Sequence, residues 1–523
     1  MWRIFRTFAA DLTITTTMQG NFSYHKPIIV AIAMLLMLLS LLTPTANAQE
    51  IISPQGCRRG TPRPESMQLR RGGSVGRSPG GNFYHGERHQ LVVMAAFNDR
   101  QFAGDEDATL EQWNKIFNGK ELYEEPFKGS VHDYFLDQSY GEFNVIFDLV
   151  YVQVIGDAEK YASTRTDDEN SQYLVEDIMD ILNRDSQIDW DKYDWNGDGY
   201  VNQVLIIYAG QGMNDYNPVE YSQLIWPHQW WMSEHLKDRQ QGVYCDPIPV
   251  SYDDNDYLVD CYCALAELSK EDTYSTFGTI CHEYTHCFGF PDFYYQGLRL
   301  LDHWDLMDSG NYNGGGFQPA AYSAHERWLM GWLTPIELKE TTSIVDMPAL
   351  EDEDRAYLIR NEGYENEYYF VENRQPLGWD ESLPGKGILI FHIDFDPSVW
   401  TSTKETPNTY LIKRYTIFYG NNNLEQGTNG WAYPFQENNS LTNTSDPAAT
   451  LYHDNIDGTT LMSKPITNIA INGGYASFDF TVLPITSDVN EVTTGTDQLL
   501  YRFGMIDIVR DANGNIRKVI HKN

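Results

Sequence analysis

Long apolar stretches are almost missing from this chain of 523 residues. The exception, Ile28 to Leu42, is shorter than the roughly 20 residues a membrane-spanning helix needs, and no later segment approaches that length. Positive charge is also scarce. The chain has 37 Lys and Arg against 74 Asp and Glu, a net charge of −37. The first 80 residues, with nine basic and three acidic side chains, carry +6, so the remainder carries −43. A body that acidic argues against nucleic acid and anionic membrane as partners, and it keeps an exported protein soluble. Cysteine is rare: Cys57 stands alone near the start, and Cys245, Cys261, Cys263, Cys281 and Cys287 gather in one region. No internal repeat is visible.

The length suggests two or three domains with a large core, and a hydrophobic content of 41% is ordinary for a globular protein. Aromatic residues are plentiful, with 34 Tyr and 13 Trp, which fits β-rich structure. The apolar run follows Lys26 and precedes Ala46-Asn47-Ala48, the pattern of a secretory signal peptide over 1–48 with cleavage after Ala48. Residues 49–88, rich in Gly, Pro, Ser and Arg, read as a flexible linker or short pro-segment. Cys57 within it has two readings: a thiolate that holds a metal enzyme latent, or an ordinary lone cysteine.

What the chain does have is the stretch Thr276 to Asp292, T-F-G-T-I-C-H-E-Y-T-H-C-F-G-F-P-D. On a helix, His282 and His286 lie one above the other and can aim two imidazoles at one zinc ion. Glu283, about 100° round the helix, reaches a water on that ion without ligating it. Phe277, Ile280, Cys281, Tyr284, Cys287 and Phe288 form an opposite apolar stripe, while Thr279 joins the polar face. Ser275 or Thr276 is the expected cap, Gly289 the left-handed stop, and Pro291 a bar to continuation. A turn at Gly289 brings Asp292 back as the third ligand. Cys281 and Cys287 are separated by about 9 Å of helical rise, too far to pair with each other. A bridge from this helix must use Cys245, Cys261 or Cys263, and buried thiols packing the core are the alternative.

The flanking sequence reads as strands at Leu91–Phe97, Glu142–Ile155 and Tyr200–Ala209, with helices at Ser130–Tyr140, Tyr173–Asn183 and Pro319–Leu333. The fold class expected is α+β: a catalytic domain over 89–334 with a mixed twisted sheet around the metal helix. Asp194, Asn196 and Asp198, with Gly199 in sixth place, match the start of a calcium loop. The twelfth place is Leu205 rather than Glu, and a plain Asp/Asn/Gly turn fits equally well. Past Thr334, short alternating runs separated by turns suggest a β-rich, sandwich-like domain over 335–485, then a tail at 486–523. His392 and Asp394 lie there on a strand and read as packing residues.

Three further motifs accompany the helix: S-V-H-D-Y-F-L-D-Q-S-Y-G-E-F from Ser130, W-D-L-M-D-S-G from Trp304, and S-A-H-E-R-W-L-M-G-W-L from Ser323. With Y-D-W-N-G-D-G-Y-V-N-Q-V from Tyr193 and Y-F-V-E-N-R-Q from Tyr369, the chain over roughly Leu91–Asp394 resembles secreted bacterial zinc metalloendopeptidases of the immune-inhibitor-A type. The resemblance implies a zincin-like catalytic domain, related to the metzincins, that hydrolyses peptide bonds outside the cytoplasm. Met307 corresponds to the methionine of the turn flooring such sites, and Tyr312 is the candidate oxyanion donor. Metzincins usually place His where this chain has Asp292. Glu326, on the later helix, is therefore a second candidate for the third ligand.

The function expected is zinc-dependent endopeptidase action, with Glu283 as general base, on protein or peptide substrates. The cofactor is Zn²⁺, with Ca²⁺ as a second ion if the Asp194 loop is a site. The protein is expected to be an extracytoplasmic monomer with no membrane span once its leader is removed. Two other classes share the motif: a zinc hydrolase of a non-peptide amide or glycoprotein, and a non-catalytic surface-binding protein on a protease fold. Retention of Glu283 argues against the second, since binding alone needs no general base.

Overall fold

A computed structural model describes residues 82–120, 122–162, 170–185, 188–215, 224–238, 241–274, 276–400, 406–424 and 428–483, together with the backbone of three strands beyond 497. The leader, the linker and Cys57 lie outside the described residues. Among the described residues, no helix is long and apolar enough to cross a membrane.

The first sheet contains β1 (Gly86–Ala96), β2 (Phe143–Gln153), β3 (Val204–Gln211), β4 (His228–Trp231) and β5 (Cys261–Leu268), in the order β2-β1-β3-β5-β4. Four strands run parallel, and β4 pairs antiparallel to β5 at one edge. From Leu91 to Phe97 every residue of β1 and its end is buried, as are Val204 to Ala209 in β3. Such unbroken apolar runs are expected of central parallel strands covered on both faces. The cover includes α1 (Glu106–Asn118), α2 (Val131–Gln138) and α3 (Ser171–Asp185), of which α1 and α2 pack on β2. Ser130 and Asp133 form a reciprocal capping box that starts α2. The helix of the H-E-x-x-H motif, α4 (Phe277–Cys287), packs on β5 and β4.

Two elements differ from the sequence reading. The single strand expected over Tyr200–Ala209 is interrupted, because Asn202 turns inward: its amide donates to the Tyr193 carbonyl and its Oδ1 accepts from the Trp195 amide. Tyr200–Val201 pairs instead with Asn255–Val259 in a small separate sheet. The helix expected over Pro319–Leu333 is only α5 (Ala324–Met330). The carbonyls of Ala320 and Ala321, before it, accept from Tyr134 and Arg374, so Ser323 caps a shorter helix. Gly331, left-handed with φ 79°, ends it.

Beyond Thr334 lie β6 (Ile336–Glu337), β7 (Thr342–Met347), β8 (Tyr357–Arg360), β9 (Glu367–Arg374), β10 (Gly387–Asp394), β11 (Tyr415–Ile417), β12 (Ile466–Asn472) and β13 (Tyr475–Phe480). They form a five-stranded sheet, β6-β8-β9-β10-β11, and a three-stranded one, β7-β13-β12. The alternation in β9 and β10 divides two cores. Tyr368, Phe370, Leu389, Phe391 and Ile393 face the core shared with the first sheet. Tyr369, Val371, Ile388 and Ile390 face a second core with Met347, Ile469 and Phe478. With a strand period of two, each face of this sheet is buried against a different partner. The tail carries a three-stranded meander, β14 (Gln498–Phe503), β15 (Ile506–Arg510) and β16 (Ile516–Ile520).

Candidate metal centre

Helix α4 is buried along its whole length, the polar face included. Thr276 occupies its N-cap without capping by side chain; its hydroxyl donates to the Glu267 carbonyl. Gly278 has no room for a side chain, since a Cβ there would lie 1.9 Å from the Asn311 carbonyl oxygen. That contact seats α4 against Gly310–Gly316, the segment carrying Tyr312, which is about one-third exposed. Gly289, with φ 101°, turns the chain after the helix so that Asp292 returns to the histidines.

Asp292 Oδ1 lies 3.2 Å from His282 Nε2 and 3.4 Å from His286 Nε2. Among the described residues these three are the one group of His, Cys, Asp and Glu side chains converging as metal ligands do. Ligands about 2.0–2.1 Å from a tetrahedral ion stand about 3.3–3.4 Å apart, so the spacing fits zinc. The tautomers fit as well. His282 Nδ1 is 2.8 Å from the Leu306 carbonyl and His286 Nδ1 is 2.8 Å from the Phe290 carbonyl. A carbonyl only accepts, so each Nδ1 carries the proton and each Nε2 presents its lone pair to the shared point. Neither Nε2, nor Asp292 Oδ1, makes a hydrogen bond of good geometry although all three atoms are buried. Buried polar atoms of that kind require a partner, and a cation suits all three.

Electrostatics agree. Burial alone would raise the Asp292 carboxyl, but His286 and His282 outweigh it and hold the group well below the usual carboxylate range. Burial lowers His286, whereas on His282 burial is outweighed by Asp292 and Glu283, and its basicity rises. Glu283 is fully buried, with Oε2 4.0 Å from His286 Nε2.

The Leu306–Met307 turn supports this arrangement through its backbone. Leu306 orients His282, while the Met307 carbonyl accepts from the Phe293 amide at 2.9 Å, one residue past Asp292. Asp305 Oδ1 accepts from the Met307 amide at 2.8 Å and fixes the turn. The sequence reading drew only Met307 from W-D-L-M-D; the Asp before it carries the turn. The orienting carbonyls of Leu306 and Phe290 are backbone groups, which no side-chain pattern reveals.

Glu326 stands elsewhere. Its Oε2 accepts from the Ser323 amide and hydroxyl in the capping box of α5, and burial pushes its carboxyl up to about 7. Asp194, Asn196 and Asp198 do share one loop, but they bond within it. Asp194 accepts from the amides of Asp198 and Gly199, Asp198 from Tyr200, and Asn196 donates to Asp198. His392 donates to Glu367 at 2.7 Å, and Asp394 bonds His453 and Arg414, consistent with packing roles.

Three side chains from beyond residue 334 brace the centre. Buried Asn408 donates to the Phe293 carbonyl at 2.8 Å, and Tyr415 meets Phe293 edge-on at 4.5 Å between ring centres. Arg374 donates to the Trp304 and Ala321 carbonyls while paired with Glu372 and Asp380.

Two histidines and an aspartate that converge as metal ligands do, on and after a buried H-E-x-x-H helix, are the arrangement of a metallohydrolase type of centre. In agreement, residues 96–332 match the family described as the immune inhibitor A peptidase M6 catalytic domain. The chain is 28% identical over 177 residues to the pre-pro-metalloprotease PrtV of Vibrio cholerae serotype O1, covering 30% of this chain and 18% of that protein. It is 27% identical over 256 residues to immune inhibitor A of Bacillus thuringiensis subsp. alesti, covering 44% of this chain and 34% of that one. The chain thus spans about a third or less of the curated relatives it matches.

Proposed function

We propose that this chain is a zinc endopeptidase that acts outside the cytoplasm on proteins. The observation that carries the reading is the convergence of His282 Nε2, His286 Nε2 and Asp292 Oδ1 at 3.2 and 3.4 Å. When bound, zinc supplies Lewis acidity, lowering the pKa of a coordinated water to about 7. Glu283 takes the proton of the attacking water and returns it to the leaving amine nitrogen, as a general base and then a general acid. Its burial keeps that proton from bulk solvent. Tyr312 is assigned to donate to the developing oxyanion. Met307 is assigned to close the floor beneath the ligands. His282 and His286 are held by backbone carbonyls, so their lone pairs need no reorganisation to bind the ion.

The chain's wider organisation belongs to the same proposal. Residues 1–48 act as the export signal, 49–88 as linker or pro-segment, 89–334 as a zincin-like catalytic part, 335–485 as the β-rich part with sandwich-like packing, and 486–523 as a tail. The mature protein works as a monomer. Calcium receives no comparable support, since the Asp194 loop spends its acceptors on its own amides.

Casein hydrolysis by the purified chain, with and without a chelator, tests the reading, paired with Glu283→Gln. Chelator-sensitive hydrolysis is expected, lost in Glu283→Gln while one zinc per chain and the melting temperature persist. Hydrolysis retained in Glu283→Gln would overturn the assignment. Zinc binding without cleavage of any protein would instead favour the non-peptide hydrolase or the binding protein.

A further inference from the structure

The cysteines near the metal helix are not equivalent. Cys263 lies in β5 and Cys287 is the last residue of α4, and their sulfurs are 3.4 Å apart. That is van der Waals contact, and a movement of about 1.4 Å would bring them to the bond length of a disulfide. Cys281 is on the same helix as Cys287 and out of its reach. Cys261 lies two residues from Cys263 on the same strand, and its sulfur accepts from Gln229. Cys263 and Cys287, in contrast, have their sulfurs in mutual contact.

We propose that Cys263 and Cys287 are a disulfide site, closed when the chain folds under oxidising conditions. The bond would join the strand beneath α4 to the residue directly after the ligand His286. It would therefore fix the helix end where His286 takes its orientation from the Phe290 carbonyl. The two cysteines are 24 positions apart, so the closed loop is long enough to restrict the unfolded chain appreciably. Both residues are buried, with exposures of 0% and 3%, so the bond is made during folding and is then shielded from reductant.

The chemistry balances with a small disulfide of a monothiol, such as glutathione disulfide, as oxidant. One cysteine thiolate attacks a sulfur of that disulfide and displaces one thiol. The second cysteine attacks the resulting mixed disulfide and displaces the other. The protein pair loses two electrons and two protons, and the oxidant is reduced to two thiols.

Export into an oxidising compartment belongs to the proposed function, but the site itself does not depend on it, and the test separates the two. The full chain is refolded with zinc in a buffer of oxidised and reduced glutathione, alkylated, digested without reduction and mapped by mass spectrometry. A peptide joining Cys263 to Cys287, lighter by two hydrogens than its parts, is expected. Alkylation of both cysteines, or a bond from either to another cysteine, would overturn the proposal. As a second measurement, the oxidised chain should melt roughly 5–10 °C above the Cys263→Ser/Cys287→Ser chain. Equal melting temperatures, with the bond absent from the map, would likewise overturn it. Protease activity does not enter either readout.

Discussion

Asp292 Oδ1 stands 3.2 Å from His282 Nε2, whereas Glu326 is engaged by Ser323 at the start of another helix. The two acidic candidates for the third ligand should therefore respond differently to neutral replacement. Asp292→Asn is expected to weaken zinc binding about 100-fold or more, beyond the usual cost of altering an outer partner. Glu326→Gln should leave zinc content unchanged, because its carboxyl is engaged by Ser323 and is not among the three converging atoms. Metal titration followed by elemental analysis of both variants checks this.

Gly278 offers a packing test. Its Cβ position is 1.9 Å from a backbone oxygen, which cannot rotate away as a side chain would. Gly278→Ala should destabilise the chain by about 1–3 kcal/mol or more and displace α4 from the Gly310–Gly316 segment. Denaturant unfolding measures the first effect, and a fall in kcat in the soluble fraction reports the second.

Acid should unfold this protein early. Burial lowers His235 and His325 to about 3 from an ordinary value of 6.5, with His228 adding to the shift at His235. Between those values the unfolded chain binds a proton at each position and the native chain does not. Stability therefore falls as pH drops from about 6.5 toward 3, by about 1.4 kcal/mol per pH unit per histidine, and neither group contributes above that window. Melting temperatures across pH 4–7 should show this slope, and His235→Gln/His325→Gln should flatten it.

Arg374 holds together segments far apart in the chain, from Trp304 to Asp380. Arg374→Met leaves Glu372 and Asp380 buried beside a neutral side chain, and a loss of about 3–5 kcal/mol is expected. Replacing Asp380 by Asn in the same background should recover part of it. A double-mutant cycle by chemical denaturation provides the measurement.

The readable part of the centre was the part encoded locally. His282, Glu283 and His286 share one helix, and Gly289 needs only its own backbone freedom to turn the chain, so spacing located them. Met307 was placed through resemblance, yet the turn that carries it is held by Asp305 and by a backbone bond to Phe293. Arg374, Asn408 and Tyr415 act on the centre from 70 or more positions away, and no local pattern ties such residues to a helix. The β-rich segments were legible as strands for their alternation. That both faces of β9 and β10 are buried was not, because Tyr368 and Tyr369 are equally apolar on either side. The overlong helix at Pro319–Leu333 had a similar cause: a run rich in Ala and Leu suits a helix, but tertiary hydrogen bonds claimed its first carbonyls.

The sheet shared between two cores also sets an order on biosynthesis. When the ribosome has released the chain through Leu333, every proposed metal ligand and the general base have been made. The side chains that brace them, Arg374, Asn408 and Tyr415, have not. At that stage the apolar surface that Tyr368, Phe370 and Phe391 will cover is still open. The nascent chain thus carries the proposed ligands and base well before it carries the side chains that brace them.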